Sequence, residues 1–262
     1  MSRTLIRTPL VASALVVGAG VFTAASAQTK PYVSIVAGGV LQSESGNEGA
    51  LGPGFVTGEG TTIPSGTALP NAPVGWTTEF DTGVFIAGAA GLDFGFLRAE
   101  IEVGYSDVGV DTHTNVVAGG IALGAEDAAV LIPNSPALGA DVATIVGDGR
   151  GQIDQLTAFG NLIYDFDFGE IWAPYIGGGA GLSVVDVEYA PSGVTIVDDE
   201  KAVFAYQLLA GVNFNVSDEL DWTIGYRFRM SEDVEVDTVL FPGTLEVENR
   251  SSNFEIGLRY RF

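Results

Sequence analysis

Asn253-Phe254-Glu255-Ile256-Gly257-Leu258-Arg259-Tyr260-Arg261-Phe262 is the stretch that closes the chain. Side chains on an extended strand point alternately to opposite faces. Phe254, Ile256, Leu258, Tyr260 and Phe262 therefore share one side, and Glu255, Gly257, Arg259 and Arg261 share the other. A soluble sheet turns its apolar side toward a core. A strand that ends on an aromatic residue, with both arginines close to that end, fits the reverse arrangement: lipid outside and a polar lumen inside.

The same inversion recurs upstream. Over 96–108, Leu97, Ala99, Ile101, Val103 and Tyr105 alternate with Arg98, Glu100, Glu102 and Gly104. Over 202–216, Phe204, Tyr206, Leu208, Ala210, Val212 and Phe214 oppose Gln207, Gly211 and Asn213. Over 220–230, Leu220, Trp222, Ile224, Tyr226, Phe228 and Met230 oppose Asp221, Thr223, Gly225, Arg227 and Arg229. This period of two predicts strands at 32–42, 79–92, 96–108, 152–166, 172–187, 202–216, 220–230 and 253–262. Tight turns at 93–95, 167–170 and 217–219 alternate with long acidic connections at 43–78, 111–151, 188–200 and 231–248. Those connections carry Gly, Pro, Ser and Thr without a sustained apolar period and read as loops. The expectation is an all-β fold: an eight-stranded antiparallel up-and-down transmembrane β-barrel with short periplasmic turns and long extracellular loops. A soluble barrel would not place Arg98, Arg227, Arg229, Arg259 and Arg261 on inward faces.

Composition narrows the classes further. Among 262 residues there are 33 Asp or Glu, 11 Lys or Arg and no Cys, for a formal net charge of −22. Such a surface repels nucleic acid, so no nucleic-acid partner is expected. Beyond the N-terminus no apolar run is long enough for a helical span. The N-terminus reads as an export signal: Arg3 and Arg7, an apolar stretch over 10–22, then the small-residue motif Ala25-Ser26-Ala27. Residues 1–27 are expected to be a cleaved signal peptide and 28–262 one barrel domain.

Three segments carry a family resemblance: W-A-P-Y-I-G-G-G-A-G-L from Trp172, A-Y-Q-L-L-A-G-V-N-F-N-V-S-D-E-L-D-W-T-I-G-Y-R-F from Ala205, and F-E-I-G-L-R-Y-R-F from Phe254. They resemble the opacity-type, OmpA-like (porin-like) surface antigens of Gram-negative bacteria. The resemblance implies the cell outer membrane and contact with its lipid. It also implies that Phe254, Ile256, Leu258, Tyr260 and Phe262 form a C-terminal assembly signal, read by periplasmic chaperones and the barrel assembly machinery. The family holds adhesins, scaffolds, immune-evasion antigens and small pores. The implied function is thus an envelope structural protein or surface antigen, with extracellular or host ligands at its loops; a small diffusion pore is the alternative. The peptidoglycan-binding domain that follows the barrel in OmpA is not expected here, since the sequence stops at Phe262.

Charges come first among candidate functional residues. Arg98, Glu100, Glu102, Arg227, Arg229, Glu255, Arg259 and Arg261 should face a lumen just wide enough for side chains to fill. They must pair or meet water, as a plug or as a gate. Asp198, Asp199, Glu200, Glu232, Asp233, Glu235 and Asp237 crowd two loops; they could hold Ca²⁺, but no EF-hand pattern is present and solvated charge is the simpler reading. His113, the single histidine, rules out metal sites needing two, and reads as a loop residue. A hydrolase triad would need Ser106 or another serine beside it. Asp167-Phe168-Gly169 lacks every other kinase element and reads as a hairpin turn. The glycines over 177–181 lie inside a strand and should make room in a crowded lumen. Trp172, Tyr175, Trp222, Tyr260 and Trp76 are expected to anchor the membrane interfaces. No cofactor, metal or catalytic role is expected.

Overall fold

The structure, a computed structural model, describes residues 29–166, 168, 169 and 171–262. The expected signal peptide, and Asp167 and Glu170 of the expected turn, lie outside the described residues. The strands in chain order are β1 (Lys30–Gln42), β2 (Ser45–Leu51), β3 (Pro73–Phe80), β4 (Thr82–Asp93), β5 (Leu97–Ala118), β6 (Ile121–Ala122) and β7 (Gly151–Asp165). They continue with β8 (Trp172–Tyr189), β9 (Val197–Asn215), β10 (Leu220–Ser231), β11 (Val234–Asp237), β12 (Gly243–Val247) and β13 (Arg250–Arg261).

Eight of these close the membrane barrel, all antiparallel, in the order β1-β4-β5-β7-β8-β9-β10-β13 and back to β1. The closing seam is the one the C-terminal stretch implies: Val33 lies opposite Tyr260, Ile35 opposite Leu258 and Ala37 opposite Ile256. Phe262 N–H completes it by donating to the Pro31 carbonyl at 2.9 Å. Closure removes free strand edges, without which no sheet survives in hydrocarbon. On β7 the outward residues Leu156, Ala158, Gly160, Leu162 and Tyr164 are exposed, a stretch of about nine residues, as a tilted membrane strand requires. The eight expected strands are all present.

The expected loops are corrected. Segments 43–78 and 231–248 contain β2, β3, β11 and β12, and β5 runs on to Ala118. β11, β12, β2, β3 and β5 are laddered in that order. The barrel therefore continues above the membrane, with β2, β3, β11 and β12 prolonging β1, β4, β10 and β13 through kinks at 43–44, 81, 232–233 and 248–249. Hydrogen bonds carry the pairing across the kinks: Ser43 N–H to Arg250 C=O and Asp81 N–H to Gly109 C=O, both 2.9 Å, and Ser231 N–H to Asn249 C=O at 3.1 Å.

Side-chain polarity inverts at that level. Above it, Leu51, Val74, Trp76, Val185, Val187, Val234, Val236, Leu245 and Val247 point inward into one apolar core. Connections 52–72 and 123–147 cap it with Phe55, Leu123, Val130, Val142 and Val146. Val142 and Val146 sit on the one α-helix among the described residues, α1 (Val142–Val146). No sustained period marks these segments because each contributes only two or three apolar residues to a shared core. The pattern exists between strands rather than along one.

Candidate functional site

The lumen of the membrane barrel is occupied by its own side chains. Arg227 lies at its centre, 2% exposed. It pairs with Glu102, and its Nε and Nη2 donate to Glu255 at 3.1 and 3.3 Å. Arg227 Nη1 also reaches Gln207 Oε1 at 2.9 Å, and Arg229 Nη2 shares that oxygen at 3.2 Å. Gln207 Nε2 donates in turn to Asn161 Oδ1 at 2.8 Å, and Asn161 Nδ2 to Glu100 Oε1 at 2.9 Å. The Tyr32 hydroxyl closes this chain on Glu100 Oε2 at 2.6 Å.

Nearer the short turns, Arg98 makes a two-pronged bond to Asp165, 2.6 Å from Nε and 2.9 Å from Nη2. Asp221 takes both terminal arginines, Arg259 Nε and Arg261 Nη2 each at 2.8 Å. The arginines also stack: Arg227 and Arg229 lie 5.0 and 5.2 Å from the Phe85 ring centre, and Arg98 lies 5.3 Å from that of Tyr175. Five arginines thus face Glu100, Glu102, Asp165, Asp221 and Glu255, and Asp93 is a further buried acid at inward parity, opposite Arg98. A cavity of about 40 Å³ lies among Arg98, Glu100, Glu102, Arg227, Glu255 and Arg259, room for one or two waters.

All eight expected lumen charges are brought together here. Sequence reading missed Asp165 and Asp221 as their partners, and Asn161, Gln207 and Tyr32 as the linkers. Each lies at inward parity on its strand; Asp221 and Gln207 were already set on those faces, and the same alternation applied to β1 and β7 finds Tyr32, Asn161 and Asp165. Tyr175 is a correction. It was expected at the interface but faces inward and is buried, because it shares parity with Gly177, Gly179 and Gly181. A Cβ on Gly211 or Gly225 would come within 2.6 Å of its hydroxyl, so those glycines make its berth. The inward glycines of β8 do make room as expected: a Cβ on Gly179 would sit 2.0 Å from Asn161 Oδ1. Trp172, Trp222, Tyr260 and Phe262 point outward and are exposed.

Trp76 and His113 are further corrections. Trp76 is buried inside the extracellular barrel, not at an interface. His113 lies on β5, also buried, edge-on to Trp76 and to Tyr189. Its Nδ1 meets the Thr78 hydroxyl at 2.8 Å, and its Nε2 has no partner. Burial pushes its pKa down to about 4, against a weak upward pull from Asp148. Ser106 is seven residues away on the same strand, over 20 Å at about 3.3 Å per residue, so the two cannot share a triad.

The acids expected in loops stand mostly on strands. Asp198, Asp199 and Glu200 are on β9, Glu235 and Asp237 on β11, and Glu232 and Asp233 in the kink below β11. Outward acids line up in register: Asp107 opposite Asp154, Asp154 opposite Asp186, and Asp186 opposite Glu200. Glu235, Glu246 and Glu48 continue the pattern across β11, β12 and β2. Other acids hold the cap together. The Thr62 hydroxyl and N–H hold the Glu126 carboxyl below the usual glutamate range. Asp127 accepts from the N–H groups of Leu138, Ala129 and Gly139, which likewise lower its pKa. Among the described residues no group of three His, Asp or Glu is placed to hold a metal ion.

A closed antiparallel ring with an apolar outer belt, a charged interior and prolonged extracellular strands defines a Gram-negative outer-membrane β-barrel surface protein. The profile of the Surface antigen family matches residues 61–258, and the chain belongs to that family. Among solved structures, the outer membrane protein OprG from Pseudomonas aeruginosa is similar at 12% identity and a TM-score of 0.50, with 88% of this chain and 96% of that chain covered. Neisserial surface protein A is similar at 16% identity and a TM-score of 0.45, covering 88% and 97%. Ail, the attachment invasion locus protein of Yersinia pestis, is similar at 11% identity and a TM-score of 0.36, covering 88% and 98%. The likeness to OprG is one of fold alone. No curated protein matches the chain.

Proposed function

We propose that the protein is a closed, surface-displayed barrel with an envelope-structural or antigenic role, and that its partners meet the acidic wall and cap above the membrane. The observation that carries this reading is the buried ion-pair network, centred on Arg227, beneath an apolar cap. A diffusion pore needs a continuous water path, and the arginines and carboxylates fill the cross-section where that path would run. Opening it means separating buried pairs, each of which would leave an uncompensated charge behind. A triad of His113 with Ser106 is no part of this reading, since His113 is buried in the extracellular barrel away from Ser106. The outward residues Phe254, Ile256, Leu258, Tyr260 and Phe262 suit recognition by the assembly machinery and its chaperones before the closing seam forms. In the membrane the same residues face lipid.

Conductance of the refolded protein in a planar bilayer tests the reading, once heat-modifiable gel mobility shows that the barrel has formed. A silent bilayer is expected. Discrete, reproducible channel steps from the unmodified protein would overturn the closed-barrel reading and favour the pore.

A further inference from the structure

In the extracellular barrel the seam between β9 and β11 is not laddered, as β5 above Gly109 is not laddered to β7. β11 lies beside β9, yet no ladder joins them, whereas β11–β12, β12–β2, β2–β3, β7–β8 and β8–β9 are laddered. Two ties hold the seam. Above, Val239 N–H donates to the Ile196 carbonyl at 2.7 Å beside a bridge between Val197 and Thr238. Below, Glu232 N–H donates to the Phe204 carbonyl at 2.9 Å. Between the ties β9 is one residue longer than β11, so no single register satisfies both ends.

Charge opposes zipping as well. Carrying the upper register downward sets Glu200 opposite Glu235 and Asp198 opposite Asp237, all on the outward face. Like charges directly opposite destabilise a strand pair. A side chain stands in for the ladder: Asp199 Oδ2 accepts from Asp237 N–H at 3.0 Å, and the same oxygen holds Lys201 Nζ at 3.0 Å. Lys201 is the single basic residue between the ties. Behind this latch, Val234 and Val236 are fully buried in the apolar core.

We propose that the β9–β11 seam is a charge-controlled gate into the apolar interior of the extracellular barrel. Repulsion between facing carboxylates keeps it unzipped, and Asp199 latches it. β11 peels from β9 while β12 stays laddered on β2, with the kink at 232–233 as the hinge. The device deepens the surface-protein reading without depending on it, since a gate in the cap is compatible with either a silent or a conducting lumen.

Hydrogen exchange on the refolded full chain in micelles tests the gate. Amides over 198–203 and 233–237 are expected to exchange faster than those of Val185, Val187 and Tyr189 in the neighbouring ladder. Asp199→Ala, which cannot accept from Asp237 N–H, speeds them further. Glu235→Gln and Glu235→Lys slow the 198–203 amides about tenfold, the scale set by relieving a like-charge pair or two. Glu246→Gln removes the same charge from the laddered side of β11 and leaves 198–203 unchanged. Glu235 and Glu246 are exposed, so these variants keep the fold. Wild-type protection at 198–203 equal to that of β8, no response to Glu235→Lys, or an equal response to Glu246→Gln would each overturn the gate.

Discussion

Below the kinks the barrel has charge inside and hydrocarbon side chains outside; above them the relation is reversed, although the same strands run through both halves. On β8, Tyr175 and the inward glycines lie among the arginines of the plug, while Val185, Val187 and Tyr189, at the same parity, lie in an apolar core. Backbone pairing does not distinguish the halves. Their surroundings do: lipid takes no charge on the outer wall and leaves the lumen as the place for polar groups, whereas water above takes the charges and leaves the interior to apolar ones. The lower half is held by specific pairs and the upper by packing, and the two should fail differently.

The largest difference should appear when each interior loses its central group. Arg227→Ala leaves Glu255 buried without its cation and Glu102 with only the longer Arg229 contact at 3.9 Å, and a loss of about 3–5 kcal/mol is expected. It should show as lost heat-modifiable mobility at lower urea concentration, across the whole barrel. Phe55→Ala removes a ring packed edge-on to Phe241 at 6.2 Å and should cost about as much, roughly 3–5 kcal/mol, but locally. Limited proteolysis should then cut the cap while the membrane barrel keeps its gel mobility. If Phe55→Ala unfolds the barrel as readily as Arg227→Ala, the two halves are one cooperative unit and the comparison breaks.

The next effect is acid sensitivity confined to the upper half. His113 is held neutral in the fold, with its pKa down at about 4 from an ordinary 6.5. Because the charged form is favoured only when unfolded, its contribution is fully present above about pH 6.5. It declines as pH falls toward 4, for a loss of roughly 3 kcal/mol at the lower end. The carboxylate acting on the ring is Asp148, which pairs with Arg150 at 3.4 Å; Thr78 and Tyr189 contribute only neutral hydroxyls. Protease sensitivity of the cap should rise over that window, and His113→Gln should flatten the profile. A wild-type cap equally resistant at pH 7 and pH 4.5 would remove His113 from the account.

How much of this was legible in sequence follows the same division. In the lower half each strand carries its own evidence, so Leu97 to Tyr105 or Leu220 to Met230 could be assigned alone, lumen charges included. Asp221 was set on the same face as Arg227 and Arg229 but not singled out as a partner, and Asp165 was passed over because it sits at a strand end, beside a turn. The upper half was read as loop because Leu51, Val74, Trp76 and Leu245 meet only after four kinked strands have come together. His113 was misread for the same reason: nothing near it in sequence announces Tyr189, which completes its surroundings.

The smallest expected effect separates the two roles of acid in the upper half. Asp141 caps α1, its Oδ1 accepting from Thr144 N–H at 2.7 Å, and the Thr144 hydroxyl together with that N–H lowers its pKa. Glu246 stands on the outer wall between two other glutamates. If negative charge alone mattered, Asp141→Asn and Glu246→Gln would be equivalent. Asparagine can still accept the cap bond, so Asp141→Asn should cost little, while Asp141→Ala should cost about 1 kcal/mol of cap stability, the usual value of an N-cap. Glu246→Gln should be neutral or slightly stabilising, since it relieves two like-charge neighbours. Urea-dependent proteolysis of the cap resolves differences of this size. Equal destabilisation by Asp141→Asn and Asp141→Ala would mean that the charge, not the hydrogen bond, positions α1.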